Sequence, residues 1–397
     1  MGSQQRRDEA ARVVGVCDHV APTEGETVTS TPLQIARELH EPLDRAARAT
    51  PTGDPVPASS LELIRDAGLL GLMVPKEAGG LELPLADIID VYAEIARADG
   101  SLGWCYFAAD LTAAYFGAYL DDAGCAELFG DGVPLMAGQF APNGTAVPNG
   151  DGWVVDGNYQ FGSGIAYATW AGGGVLTLPD DGTDSEYLFA CFPVDDVELK
   201  GNWDVLGLQG TGSYDYAIHS VRVPARRTFN FFTPTIHRGG SIYQLGVIGL
   251  TAAGHAGWAL GVTRRILDEL AAMARGTTRM GASSSLAESE RFLFEYGALE
   301  GRYRADEAWV RQVLEQAQLD PGTGAMDDVS TNLVREACRA VNQGGADIAR
   351  DAYLLAGTRA LRDGPIQQCF RDLHAGSQHF FAGPAAAIDL ARSLLAE

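Results

Sequence analysis

The segment QQCFRDLHAGSQHFF, Gln367 to Phe381, places two histidines, an Arg-Asp pair and two phenylalanines within a few helical turns. An imidazole ordinarily titrates near neutrality and can hold or pass one proton, which suits acid–base chemistry. On one helix, residues seven apart nearly eclipse and residues five apart point to separate faces. Asp372 therefore shares a face with His379, and Phe370, His374 and Gln378 share another. The two histidines reach a common pocket only if the helix ends between them. Arg371 and Asp372 read as a fixed ion pair orienting the helix, and His374 as structural or interfacial.

Other reactive patterns are missing. The six cysteines are scattered, with no C-x-x-C and no histidine spacing for a metal. The glycines of GLQGTGS (Gly207, Gly210, Gly212) lie between expected strands with no helix to follow, so they do not form a dinucleotide fingerprint. Ser163, in FGSGI, has Phe161 where a nucleophile elbow needs glycine. Its flanking glycines, Gly162 and Gly164, instead allow backbone to approach a planar ring, although a simple turn serine reads the same way. Aromatic residues are available for pocket walls: Trp104, Tyr106, Phe107, Phe140, Phe161 and Trp170 upstream, Phe380 and Phe381 beside His379.

The elements that position these groups follow from texture. The chain has 397 residues, 46% of them hydrophobic, and a net charge of -23, which disfavours nucleic acid and anionic membranes as partners. Residues 1–30 mix charge, Pro, Thr and Gly without period and read as a mobile tail. Residues 31–131 are helical, with Ser59 or Ser60 as a cap and a break at Gly100. Residues 132–235 form a β-domain, in which Trp153–Val155 and Asn158–Phe161 pair about an Asp156-Gly157 turn. Residues 236–397 return to long helices, with a loop at QLDPGTGAMDD. The uncharged run Gly239–Thr263 reads as a buried core helix rather than a membrane span, with His255 facing a pocket or held by a backbone partner. No signal-peptide pattern opens the chain, and the expected location is the cytoplasm.

Helices, then β, then helices resembles the acyl-CoA dehydrogenase fold. IRDAGLLGLMVPKEAGG (64–80) and WDVLGLQGTGSYDYAIHSVRVPARRTF (203–229) carry the likeness. The fold class this implies is α+β: an N-terminal helical domain, a central antiparallel β-barrel or sandwich, and a C-terminal four-helix bundle. GWVVDGNYQFGSGIAYATW (152–170), ADGSLGWCYF (98–107) and AGTRALRDGPIQQCFRDLHAGSQH (356–379) resemble the branch of two-component flavin-dependent monooxygenases. The dehydrogenases of this fold use a glutamate on either of two C-terminal helices, yet residues 216–267 and 373–388 contain no Asp or Glu. Without a base, α-proton removal has no agent.

The resemblance implies reduced FAD or FMN, with FAD favoured, dioxygen as co-substrate, a separate flavin reductase and a homotetramer. A flavin hydroperoxide carries the oxygen in that branch. Ser163 would bond the flavin ring edge and His379 would steer protonation near it. Trp104, Gly138, Gln139, Phe140, Phe161 and Gly162 would surround the ring, although the family's usual Thr-Glu-Pro is absent at 139–141. Arg275 and Arg279 would reach a neighbouring subunit's flavin phosphates. Tyr106, Phe107, His255 and Phe380 would line the pocket of an aromatic, indole-type substrate. An amino-sugar N-hydroxylase, an acyl-CoA dehydrogenase and a non-catalytic scaffold are the other readings.

Overall fold

A computed structural model describes residues 30–179, 183–278, 284–318 and 327–396. The expected mobile tail, most of the QLDPGTGAMDD loop and Arg279 lie outside the described residues. Among the described residues, five helices come first: α1 (Pro32–Ala49), α2 (Ala58–Asp66), α3 (Leu85–Ala98), α4 (Gly100–Tyr119) and α5 (Asp122–Phe129). The seven strands β1 (Met136–Asn149), β2 (Gly152–Gly162), β3 (Trp170–Thr177), β4 (Tyr187–Pro193), β5 (Glu198–Leu199), β6 (Tyr214–Pro224) and β7 (Thr228–Asn230) follow. The chain closes with α6 (Gly246–Arg275), α7 (Glu290–Gln318), α8 (Asp328–Ala356), α9 (Pro365–Gly376) and α10 (Ala385–Ala396).

Helix α4 is buried on almost every side, so no polar face exists to orient it. Its direction is set at the start: the Asp99 carboxylate caps it by accepting the Leu102 N–H at 2.7 Å. Helix α6 is rich in small residues because α3 lies directly against it. A Cβ at Gly261 would stand 2.2 Å from the Ala93 carbonyl oxygen, so only glycine permits the approach. The helical run Ser241–Arg275 is long and apolar enough to cross a membrane, but 89% of its most apolar window is buried within the protein. Helix α6 packs on α3 and α8, α7 on α8, and α9 wedges against α6 and α8.

The structure corrects four expectations about these elements. The sheet order is β5-β6-β2-β1-β3-β4-β7, and β1 pairs with β3 in parallel, so the sheet is mixed rather than antiparallel. The connection 163–169 carries the chain from β2 to the far edge of β1, which forces β3 to run with it. The hairpin turn falls at Gly150-Asp151, where Gly150 has φ +63°, and not at Asp156-Gly157. Gly157 is instead mid-strand because the Tyr159 ring fills the place of its side chain, 2.5 Å from an added Cβ. Pro57, not Ser59 or Ser60, precedes α2, and it supplies no side-chain cap. Helix α9 ends at Gly376, before His379.

Candidate active site

Because α9 stops, His379 leaves the face it would share with Asp372 and begins a short 3-10 turn, its Nδ1 accepting the Phe381 N–H at 3.5 Å. Its ring centroid then lies 4.2 Å from His255 of α6, 5.3 Å from Phe381 and 6.0 Å from Trp104 of α4. His255 is flanked by Trp104 and Phe107, each at 4.9 Å, and Phe140 of β1 closes the side at 6.5 Å from His379. Trp258, one turn beyond His255, packs on Trp104 at 4.8 Å and is pinned by donating its Nε1–H to the Gly100 carbonyl at 2.8 Å. Gly376 makes the approach possible, since an added Cβ would stand 2.4 Å from the Trp258 ring.

Burial among these rings drives His255 well below the usual imidazole range, with the neighbouring His379 adding to the effect. Burial likewise lowers His379 to about 4. Both rings are neutral at pH 7, each with one donor and one acceptor nitrogen. Among the described residues, none hydrogen-bonds His255. His374 faces elsewhere, its ring tilted against Phe370 at 4.2 Å and its Nδ1–H donated to the Phe370 carbonyl at 2.8 Å.

Ser163 follows the last residue of β2 and joins the cluster through Trp104, whose Nε1–H it accepts at 2.9 Å. That bond uses a lone pair and leaves the serine proton free to donate. Phe161, two residues earlier, is held at φ +57° and is 57% exposed, its ring edge-on to Trp203 at 6.1 Å. Such a backbone is rare for a bulky residue. A planar, largely uncharged ring system fits this setting. It would be bordered by Phe140 and Phe161, with Trp104 behind Ser163 and the serine hydroxyl as an edge donor.

Several expected residues stand elsewhere. Tyr106 is in the core, its hydroxyl bonded to the Leu69 carbonyl and its ring edge-on to Tyr92 at 5.5 Å. Phe380 is 65% exposed and lines a small pocket together with Phe381, but it is Phe381 that stands against His255 and His379. The Gln139 N–H is already given to the Tyr216 hydroxyl at 2.9 Å, and Gly138 is paired with Gly172 of β3, so Gln139 is no free backbone donor. Trp170 lies under the Arg227 guanidinium at 4.9 Å. Arg275, whose expected target lies in a neighbouring subunit, is exposed at the end of α6. Arg371 and Asp372 form no ion pair. Asp372 accepts the Leu208 N–H at 2.6 Å, and the Arg371 Nε is buried without a partner. Trp258 was legible as the i+3 neighbour of His255 on a buried helix; nothing in the pattern singled out Phe381 over Phe380.

This architecture and neutral, ring-lined site define the class. Residues 28–124 match the acyl-CoA dehydrogenase N-terminal domain and residues 253–384 its C-terminal domain, so the chain carries both domains of that fold. Its relatives include monooxygenases and flavin-dependent oxygenase subunits. Indole-3-acetate monooxygenase of Pseudomonas putida is 28% identical over 81% of this chain and 83% of that one. HsaA, the oxygenase subunit of a flavin-dependent monooxygenase from Mycobacterium tuberculosis, is 26% identical over 88% and 91%.

Three solved structures share the fold. The 3-HSA hydroxylase of Rhodococcus sp. RHA1 superposes with a TM-score of 0.84 at 20% identity, over 92% of this chain and 97% of that one. XiaF from Streptomyces, in complex with FADH2 and glycerol, gives 0.82 at 18% identity, over 92% and 95%. TdsC from Paenibacillus sp. A11-2, with FMN and indole, gives 0.80 at 23% identity, over 92% and 97%.

Proposed function

We propose that the chain is the oxygenase component of a two-component flavin-dependent monooxygenase that hydroxylates an aromatic, indole-type small molecule. The observation that carries this reading is the neutral His255–His379 pair, walled by Trp104, Phe107, Phe140 and Phe381, with Trp104 in turn bonded to the Ser163 hydroxyl, whose proton is left to donate. Bound reduced flavin, delivered by a separate reductase, would supply two electrons to dioxygen, so that one oxygen atom enters the product and the other leaves as water. The chain's own residues do the rest. Ser163 donates to the ring edge, Phe140 and Phe161 border it, and the aromatic walls exclude water. His379, neutral at pH 7, holds or moves one proton beside the substrate, and His255 offers its unused nitrogens to the same space.

FAD and FMN are both accommodated by this reading, with FAD favoured. A homotetramer in the cytoplasm, with Arg275 turned to a neighbouring subunit's flavin phosphates, completes it. The division into 31–131, 132–235 and 236–397 then corresponds to lower helical layer, ring-edge β-domain and bundle.

Acyl-CoA oxidation is disfavoured because α6 carries no acid before Asp268, and none occurs from Leu373 to Ile388. An amino-sugar N-hydroxylase would call for polar walls where rings stand. The test is turnover with FAD or FMN kept reduced by a flavin reductase, indoles and phenols as substrates, and 18O-labelled dioxygen. One labelled oxygen per product is expected. Hydrogen peroxide as the sole oxygen product across the panel contradicts the proposal.

A further inference from the structure

We propose that Asp372 is a positioning residue for Ser163: its carboxylate fastens the 207–213 segment to α9, and that segment in turn fixes the turn bearing the serine. The inference rests on the flavin reading only for what Ser163 is needed to do. The carboxylate is 3% exposed and stands where three site-bearing elements meet. It belongs to α9, which leads into His379. Its Oδ1 accepts the Leu208 N–H at 2.6 Å. Its Oδ2 lies against Gly100, where an added Cβ would stand 2.9 Å away, at the start of the helix that carries Trp104.

The 207–213 segment is held in a conformation it would not choose alone. Leu208 has φ +58° and is nonetheless buried at 5% exposure. Gly207 presses on the α9 backbone so closely that a Cβ would meet the Arg371 carbonyl oxygen at 2.2 Å. From Leu208 a short relay runs to the serine turn. Thr211 donates its hydroxyl to the Leu208 carbonyl at 2.9 Å, and its Oγ1 lies 2.6 Å from Ser213 Oγ. Ser213 Oγ then accepts the Gly164 N–H at 3.4 Å, and the Gly212 carbonyl accepts the Ala166 N–H at 3.1 Å.

From the other side, Cys105 Sγ bonds the Thr211 carbonyl at 2.9 Å while its neighbour Trp104 holds Ser163 itself. The contacts close a ring: Asp372, the segment, the Ser163 turn, Trp104, α4 and back to Asp372 at Gly100. A local helix tie would need only the first bond. The continuation to Gly164 is what makes Asp372 a positioning residue for the site.

Amide hydrogen exchange on the flavin-free protein tests this without turnover. Asp372→Ala should speed exchange at both Leu208 and Gly164 about tenfold or more, the scale of one lost charge-assisted hydrogen bond. Asp372→Asn keeps an acceptor oxygen and should leave both amides protected. Faster exchange at Leu208 alone, or equal damage by Asn and Ala, overturns the proposal.

If Asp372→Ala does not fold, Ser213→Ala cuts the relay at its far end. It should expose Gly164 while Leu208 stays protected, and a Gly164 amide as protected as in the unaltered protein overturns the proposal. With flavin and substrate present, Asp372→Ala should raise the peroxide-to-product ratio several-fold while Asp372→Asn restores it, an effect that lost stability alone would not give. If the unaltered protein binds neither FAD nor FMN, the flavin reading fails while the exchange result still decides the relay.

Discussion

Of the clusters of buried titratable side chains along α4, two flank the site, and burial acts on them in opposite directions. At its N-terminus Asp99 and Asp372 are raised, Asp372 to about 7. A turn further on, His255 and His379 are lowered, His379 to about 4. In each cluster burial disfavours charge. The difference is in their partners. Asp99 caps Leu102 at 2.7 Å and Asp372 holds Leu208 at 2.6 Å, so the carboxylates are engaged in building the fold. Among the described residues none hydrogen-bonds His255, and His379 has one long bond at 3.5 Å. A shifted pKa therefore marks burial in both places, whereas unspent hydrogen-bonding capacity marks the reactive one.

The contrast can be broken most directly at His379. His379→Ala should lower coupled product formation roughly 10²-fold, the usual scale for one acid–base group, with flavin affinity little changed. Product formation left intact in steady-state assays would remove the imidazoles from the chemistry.

Gly376→Ala probes how tightly the cluster is packed. With a Cβ 2.4 Å from the Trp258 ring, thermal unfolding should report a loss of about 1–3 kcal/mol. Unchanged melting would mean that the rings have room to move.

Trp104→Phe keeps the aromatic wall but deletes the donor to Ser163. The product-to-peroxide ratio should fall about tenfold, matching one lost hydrogen bond of ~1 kcal/mol or slightly more. A ratio equal to that of the unaltered protein would show that Ser163 needs no partner.

The smallest effect separates the two clusters by pH. His379 is lowered from its usual 6.5 to about 4, so its contribution to stability is complete above 6.5 and is lost as pH falls toward 4. Asp372 is raised from 3.8 to about 7, so its contribution is complete below 3.8 and is lost as pH rises through 7. Melting temperature against pH should lose part of its acid limb in His379→Asn and part of its alkaline limb in Asp372→Asn. The same change in both variants would mean that the clusters are not electrostatically distinct.

Much of this was legible in local sequence, for identifiable reasons. The helix–strand–helix order and the break at Gly100 follow from periodicity and from the glycine itself, which act over a few residues, while the Asp99 cap came only with the structure. Ser163 between glycines at a strand end was equally visible. What stayed hidden depends on contacts distant in sequence. Gly157 looks like a turn residue until the Tyr159 ring is seen in its place, and Asp372 looks like the partner of Arg371 until the Leu208 N–H reaches it from another element. His379 shows both sides. Its identity was readable, but its direction turns on α9 ending at Gly376, which helical spacing does not foretell.

The most direct measurement mixes the complex of the protein and reduced FAD or FMN with oxygenated buffer and follows flavin reoxidation by absorbance. The expected result is reoxidation markedly slower than that of free reduced flavin, with the delay shortened in both Ser163→Ala and His379→Ala. Reoxidation at the rate of free flavin in the unaltered protein would contradict the assignment of this site to oxygenation.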